Sequence, residues 1–265
     1  MINGILTNSE VWYSVKKKHL DVLESLDLML LRKFFKAHSK TAKESFFLEC
    51  GIVPIRFTID KRKLMYLRTI LRRPVTDMVR KVYKVQKTVK TPDDWGVDIK
   101  EVLQKYRIDL TDEQIMETSI YKYEKIVQKA VNAGAIQYLN DKAASHSKSE
   151  ELMKSDLVRE EYLNDPRFTT SDIQLLFQMK TKMLPVKTSF PSMWNNDVSC
   201  RTCQSSVQVE SQQHLLFCSG LLKWVDVPHG VKYIDIFDHP DKQLRIVKLY
   251  RDLLRQQEIL LNCAE

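Results

Sequence analysis

The chain has 265 residues, of which 43% are hydrophobic and 29% charged, as in a globular protein with one large domain or two small ones. Only six glycines and eight prolines occur, which disfavours turn-rich sheet proteins and predicts a mainly α-helical fold. The net charge of +8 favours polyanionic partners, and no apolar run is long enough to span a membrane.

The N-terminal part of the chain has the pattern of two helices. Helical periodicity predicts a first helix over residues 16–37. The stripe expected to face inward consists of Leu20, Leu23, Leu30, Leu31 and Phe34, with Asp27 as its one polar member. Thr41 and Glu44 have the spacing of a capping box, and they predict a short helix that Gly51 ends.

The positive charge is concentrated between Arg56 and Lys90, where twelve lysines and arginines occur with only two acids. Pro54 is expected to begin a helix that buries Phe57, Leu64, Leu67 and Leu71. A further helix after Pro74 is expected to turn four apolar residues inward, namely Met78, Val79, Val82 and Val89.

The cations of these two helices are predicted to face outward and to contact nucleic-acid phosphates. With few acids nearby in sequence to pair them, they form the expected binding surface: Arg62, Lys63, Arg68, Arg72, Arg73, Arg80, Lys81, Lys84 and Lys87. The alternative is that they form an ordinary solvated helix face.

Further helices are predicted towards the C-terminus. Thr111 and Gln114 form a second capping box before a long helix, which Gly134 is expected to interrupt. Residues 141–150 are small and polar and are interpreted as a linker. Further helices are expected over residues 151–163, after Thr169, and from about Pro240 to Leu261. The predicted domains are therefore a basic helical region over 1–140 and a second helical region over 151–265.

The strongest chemical signal is the pattern C-x2-C-x10-H-x3-C formed by Cys200, Cys203, His214 and Cys218. Zinc prefers four such ligands in a tetrahedron, and a CxxC turn opposite a helix is a common arrangement of them. His214 and Cys218 are four residues apart and are expected to share one face of a helix that Gly220 ends. The spacing predicts a small CCHC-type zinc module over residues 200–218. The predicted cofactor is Zn²⁺, in a structural role, because four protein ligands leave no open position for water.

The remaining sequence patterns contain no signature of a secreted protein or of a known enzyme class. Cys50 and Cys263 suggest no disulfide framework, and no secretory signal precedes the first helix, so we expect an intracellular protein of the nucleus or cytoplasm. No phosphate-binding loop, dinucleotide fingerprint or nucleophile elbow is found, and no catalytic residue is predicted. Asp93 and Asp94 are adjacent acids, but they lie in a predicted turn.

Several short stretches, taken in order, resemble the region after the palm of reverse transcriptases from non-LTR (LINE-like) retrotransposons. These stretches are NSEVW at 8–12, LESLD at 23–27, AHSKT at 37–41, GIVPIR at 51–56, MYL at 65–67, DW at 94–95, LFQMK at 176–180, QHLL at 213–216 and YIDIF at 233–237. The resemblance implies a helical thumb-like bundle, a zinc knuckle and a C-terminal helix, from an RNA-directed DNA polymerase. The catalytic palm of that family is absent from these residues and would lie upstream of Met1.

The positive charge and the resemblance imply RNA or DNA as partner through phosphate contacts, and the resemblance implies an upstream reverse-transcriptase palm as a further partner. No membrane partner is expected, because the basic helices look too well packed to bind a membrane surface. Two other functions remain open. The chain is then either a zinc-stabilised protein-interaction module derived from a mobile element, or a part of an enzyme that acts only beside a catalytic chain.

Overall fold

A computed structural model describes residues 6–12, 15, 17–89, 94–146, 149–184, 186–188, 195, 197–200, 203, 207–218 and 237–262, apart from the side chains of residues 17, 216, 217, 249 and 253–262. The described α-helices are α1 Lys17–Phe35, α2 Lys43–Cys50, α3 Ile55–Arg72, α4 Met78–Val89, α5 Trp95–Lys105, α6 Asp112–Glu117, α7 Ile120–Ala144, α8 Thr170–Lys180, α9 Gln212–Phe217 and α10 Pro240–Asn262. The β pairing of the described residues is an isolated bridge between Ser199 and Val209. The prediction of a mainly helical fold is confirmed.

The chain forms two compact units, and both are discontinuous in sequence. The first contains the residues up to Met29, then Gly51–Lys142 and Lys154–Leu157. The second contains Leu30–Cys50, Ala143–Met153 and the chain from Val158 onward. Whether the chain folds as two independent domains divided at 141–150 stays a prediction. Helix α7 continues through the first residues of the predicted linker and ends at Ala144.

The first unit is built around α3. Its residues Phe57, Leu64, Leu67 and Leu71 are buried as predicted. The helices α4, α5 and α6 and the 3₁₀ turn Ser9–Val11 all contact α3. α3 therefore has neighbours on several sides, which explains why some of its polar residues are also buried.

Gly134 does not interrupt α7, contrary to the prediction. The helix continues through it, and a Cβ atom at this position would lie 2.9 Å from Cε1 of Tyr106. The glycine therefore permits close packing of the buried Tyr106 ring on the helix, which propensity alone does not predict.

The apolar faces of α1 and α4 differ from the predicted ones. In α1, Leu30 and Phe34 are exposed and the acidic Glu24 is buried, whereas Asp27 is buried as predicted. The reason at Glu24 is an ion pair, since its carboxylate accepts from Nε of Arg56 on α3 at 2.6 Å.

In α4 the predicted inward residues are exposed, and Tyr83 is buried instead. The exposed residues are Met78, Val79, Val82 and Val89. The Tyr83 ring packs edge-to-face on Trp95 with centroids 5.9 Å apart, and Gly96 lets α5 approach Gln86 closely. This contact with α5 sets the orientation of α4.

The second unit has an aromatic and ionic core. The rings of Phe35, Phe46 and Phe177 form a cluster, with 4.0 Å between the centroids of Phe35 and Phe177 and 4.9 Å between those of Phe46 and Phe177. Beside it, the Lys180 ammonium lies 2.9 Å from the buried Glu49 carboxylate and 2.6 Å from Glu160. Helix α10 packs against α8.

Residues 151–163 do not form the predicted helix. They contain the 3₁₀ turns Glu150–Leu152 and Glu161–Leu163 instead. The N–H of Glu160 donates to the carbonyl oxygen of Glu49 at 3.0 Å, and the hydroxyl of Tyr162 donates to the Glu49 carboxylate at 2.8 Å. These tertiary bonds replace the helical ones.

The predicted helix caps are partly confirmed. The capping boxes of Thr111 with Gln114 and of Thr169 with Asp172 are both present. The Thr41 hydroxyl, in contrast, has no hydrogen-bond partner among the described residues, so its capping box with Glu44 is wrong. Gly51 does end α2, with a φ of 61°.

Candidate functional site

The four predicted metal ligands come together in the second unit. One ligand atom from each of Cys200, Cys203, His214 and Cys218 lies within 4.8 Å of the other three. The sulfurs of Cys200 and Cys218 are 3.9 Å apart, and Sγ of Cys203 is 3.6 Å from Nε2 of His214. Within the described residues, this is the one group of three or more such side chains placed to hold a metal ion.

The local backbone brings these side chains to one point. The N–H of Cys200 donates to the carbonyl of Gln208 at 2.8 Å, beside the β-bridge, so the chain reverses direction between the first two ligands and the helix. The Ser211 hydroxyl caps α9 by accepting from the N–H of His214 at 2.9 Å. α9 ends at Phe217, and Cys218 lies in extended backbone just after it rather than on the helix face predicted. Gly220, the predicted stop, lies outside the described residues.

The ligands differ in their exposure. Cys200 and Cys218 are 1% and 0% exposed, whereas Cys203 and His214 are partly exposed. A buried pair of thiols that faces a partly exposed Cys and His can hold a metal ion with one side near solvent. The four side chains therefore offer a metal ion one ligand atom each.

Two buried polar side chains at the start of α9 connect the metal-ligand cluster to the chain segment before it. They are Glu210, just before the helix, and Gln212, its first residue. Glu210 accepts from the N–H of Lys187 at 3.2 Å, and Gln212 accepts from the N–H of Leu184 at 3.1 Å and donates to the Met179 carbonyl at 2.6 Å. Neither residue is predicted from the sequence. Their signal is weak, because polar residues on either side of Ser211 have no period that indicates burial.

Lys187 also fixes the chain just before the first cysteine. Its ammonium lies 2.5 Å from the Asp197 carboxylate. This contact, followed by hydrogen bonds from Ser199, holds the pKa of Asp197 well below its usual range. The aspartate therefore stays ionised, and its partner belongs to the chain segment that Glu210 contacts.

The basic helices of the first unit form a narrower surface than predicted. Lys63 is 3% exposed, and its ammonium lies 2.5 Å from the Asp98 carboxylate of α5. Arg68 is 5% exposed and donates to the carbonyl of Thr118. Neither side chain faces outward as predicted, because these contacts hold each of them inside the unit.

Four more of the predicted cations have partners within the first unit. Arg62 donates to the carbonyl of Leu6, and Arg73 lies 3.3 Å from the Asp77 carboxylate. The other two are Arg80, which donates to the Arg73 carbonyl at 2.6 Å, and Lys87, which lies 2.7 Å from Asp112. Two of these partners are backbone carbonyls and one is the nearby Asp77, whereas Asp112 of α6 is an acid that is distant in sequence.

Arg72, Lys81 and Lys84 remain exposed, and their side chains make no hydrogen bond or ion pair with the described residues. Lys81 and Lys84 are three residues apart on α4, so they share one face of the helix. These three cations are the part of the predicted surface that is open to a ligand.

No protein family, curated protein or solved structure matches the chain. No described helix combines the length and apolar composition that crossing a membrane requires. Asp94 is the N-cap residue of α5, and Asp93 lies outside the described residues.

Proposed function

We propose that the chain is the nucleic-acid-binding C-terminal portion of a retrotransposon reverse transcriptase, an RNA-directed DNA polymerase, without the catalytic palm. The ordered stretches that resemble this family support the proposal. The helical fold and the Cys3His cluster are compatible with it.

The observation that carries the proposal is the set of open cations Arg72, Lys81 and Lys84 in a segment with a large excess of positive charge. An ammonium or guanidinium group without an acidic partner can bind a phosphate without first breaking an internal ion pair. Contacts of this kind read the backbone of RNA or DNA and carry no base information directly.

The test is the binding of a short RNA–DNA hybrid at several salt concentrations, for the wild type and for the variant Arg72→Ala/Lys81→Ala/Lys84→Ala. Each lost phosphate contact should reduce the salt slope by roughly one unit, so the variant should lose up to about three units. Its affinity at low salt should fall without a change in sequence preference.

A matched control removes the same charge elsewhere in the first unit. Lys122, Lys125 and Lys129 are exposed on α7, and their triple alanine variant should keep the wild-type slope. Equal slopes for both triple variants would show that the total charge, and not this surface, governs binding. A wild type that does not bind the hybrid would refute the proposed function.

We propose zinc as the metal of the Cys3His cluster. Zinc bonds of about 2.3 Å to sulfur and about 2.0–2.1 Å to nitrogen place two tetrahedral sulfurs about 3.8 Å apart and sulfur and nitrogen about 3.6 Å apart. The corresponding distances are 3.9 Å between Cys200 and Cys218 and 3.6 Å between Cys203 and His214. Elemental analysis of the purified, reduced protein identifies the ion.

A specific observation also favours the second candidate function, a zinc-stabilised protein-interaction module. Helix α4 exposes a row of four apolar side chains to solvent: Met78, Val82, Val85 and Val89. Exposed apolar rows of this kind are typical of surfaces that bind another protein. Binding through this row would depend little on salt, in contrast to phosphate binding. An upstream reverse-transcriptase palm is one partner that would fit either function.

A further inference from the structure

The first unit contains a cavity of about 780 Å³, within the range of about 300–1,000 Å³ that is usual for ligand sites. It lies beside the outer surface of α3, next to the turn around Asn8 and the first residue of α7, Ile120. The residues of the open basic surface, Arg72, Lys81 and Lys84, do not line it. It is therefore a separate candidate site.

The cavity is lined by three cations, Lys61, Arg62 and Arg68, and by one acid, Glu10. Arg68 is the most informative of them, because it is only 5% exposed and has no acidic partner among the described residues. Its Nε and Nη2 both donate to the neutral carbonyl of Thr118, at 3.2 and 2.6 Å. A buried charge without a counter-ion is costly, and a bound anion would reduce that cost.

The cations are held in position before any ligand arrives. Arg62 donates to the carbonyl of Leu6 and to the hydroxyl of Ser9, and Lys61 donates to the side chain of Gln128 at 2.5 Å. Long side chains that are already ordered lose little entropy when an anion binds.

An aromatic ring completes the lining. Tyr66 lines the cavity and packs edge-to-face on Trp95, with ring centroids 5.9 Å apart. The indole N–H of Trp95 donates to the carbonyl of Glu10 at 2.9 Å, which connects both walls. A fixed ring near cations suits a ligand that joins a flat base to a phosphate, and the Glu10 carboxylate can accept from hydroxyl or amino groups.

We propose that this cavity binds a nucleoside phosphate, with the phosphate at Arg62 and Arg68 and the base against Tyr66. The ligand is either a free nucleotide or the phosphorylated end of a strand. The strand-end source rests on the proposed function, whereas the free-nucleotide source does not.

The test uses the full chain and a pair of matched threonine variants. Thr69 lines the cavity, is exposed, and its hydroxyl donates to the Met65 carbonyl at 3.4 Å. Thr88 is an exposed threonine on α4 that does not line the cavity. Its hydroxyl donates in the same way to the backbone carbonyl of Lys84, at 2.9 Å. Thr69→Glu places a carboxylate at the proposed site, and Thr88→Glu adds the same charge outside it.

Isothermal titration with adenosine monophosphate should show binding to the wild type and to Thr88→Glu. Thr69→Glu should weaken it by about tenfold, because two like charges repel at this range. Adenosine alone and inorganic phosphate alone should bind more weakly than the nucleotide. If phosphate binds as tightly as the nucleotide, or if both glutamate variants behave alike, the proposal is wrong.

A second titration distinguishes the two sources of the ligand. A short single strand with a 5′-phosphate is compared with the same strand carrying a 5′-hydroxyl. Phosphate-dependent binding that Thr69→Glu weakens, without binding of the free nucleotide, supports the strand end. If neither the free nucleotide nor the 5′-phosphorylated strand binds in this way, the proposal is wrong. The variant Arg72→Ala/Lys81→Ala/Lys84→Ala should bind the nucleotide like the wild type, so a failure of the proposed function can be distinguished from a failure of this proposal.

Discussion

Asp27 is a buried carboxylate on a helix that exposes several apolar side chains. It is 6% exposed, and its Oδ1 has no hydrogen-bond partner among the described residues. Burial, and secondly the nearby Glu24, raise the pKa of Asp27 above its ordinary value. Its ionised form therefore destabilises the folded state.

The first prediction concerns the pH dependence of this residue. A carboxyl group whose pKa is raised on folding gives full stability below its unfolded pKa, near 3.8, and loses that contribution as the pH rises through the folded value. Asp27→Asn should therefore stabilise the chain at pH 7, by about 1 kcal/mol, and the gain should shrink on acidification. Thermal unfolding of both proteins between pH 4 and pH 7 measures it, and an equal difference at every pH would contradict the argument.

The second prediction concerns metal removal. Chelation, or Cys203→Ser, should unfold the described residues between 195 and 218 and leave the helices of the first unit protected, because metal binding is coupled to local folding. Hydrogen exchange of the isolated protein measures both regions. Cys50→Ser is the matched control, since Cys50 lies outside the cluster. Protection that survives complete removal of the metal would show that the cluster is not needed for folding.

At the scale of helices, the sequence predicts most elements but not all of their faces. The extents of α1, α3 and α8 follow from periodicity and end signals, because these are local properties. The orientation of α4 depends on Tyr83, Trp95 and Gly96, which are brought together by tertiary contacts. Periodicity identifies an apolar face but does not show whether another element covers it.

The candidate sites show the same difference between local patterns, which the sequence predicts, and tertiary contacts, which it does not. The spacing of Cys200, Cys203, His214 and Cys218 was sufficient to predict the cluster, because few arrangements of that spacing serve another purpose. The pairing of Lys63 with Asp98 was not predictable, since the acid lies 35 residues away on another helix.

The third prediction belongs to α7. Gly134→Ala improves helix propensity by about 1 kcal/mol, but its Cβ would lie 2.9 Å from a ring atom of Tyr106. The Tyr106 hydroxyl donates to Asp60 at 2.7 Å, so the ring cannot move freely. The variant should therefore be less stable than the wild type, by about 1–3 kcal/mol.

A double-mutant cycle identifies the cause. In the Tyr106→Ala background the ring is absent, so Gly134→Ala should become neutral or stabilising. Denaturant unfolding of the four proteins gives the coupling energy. If Gly134→Ala costs the same in both backgrounds, the close contact with Tyr106 is not the reason for the glycine.

At the scale of the whole molecule, each compact unit is assembled from distant parts of the sequence. The second unit combines Leu30–Cys50 with the chain after Val158. Phe35 and Phe46 pack with Phe177 inside that unit. A division of the chain at 141–150 would separate these partners.

The fourth prediction follows for fragments. Residues 151–265 alone should lack a cooperative thermal transition, because Lys180 loses Glu49 and Phe177 loses both neighbouring rings. Adding a peptide of residues 28–51 should restore the transition. A peptide with Phe35→Ala and Phe46→Ala is the control, and it should fail because each truncation costs about 3–5 kcal/mol. Cooperative unfolding of 151–265 by itself would support the predicted boundary instead.

The discontinuous second unit also affects how the chain folds during its synthesis. A ribosome that adds about 5–20 residues per second needs roughly 7–26 s to proceed from Phe46 to Phe177. During that interval Phe35 and Phe46 lack the Phe177 ring, and Glu49 lacks the Lys180 ammonium. Translation speed and chaperone access in this interval should therefore influence the yield of folded protein.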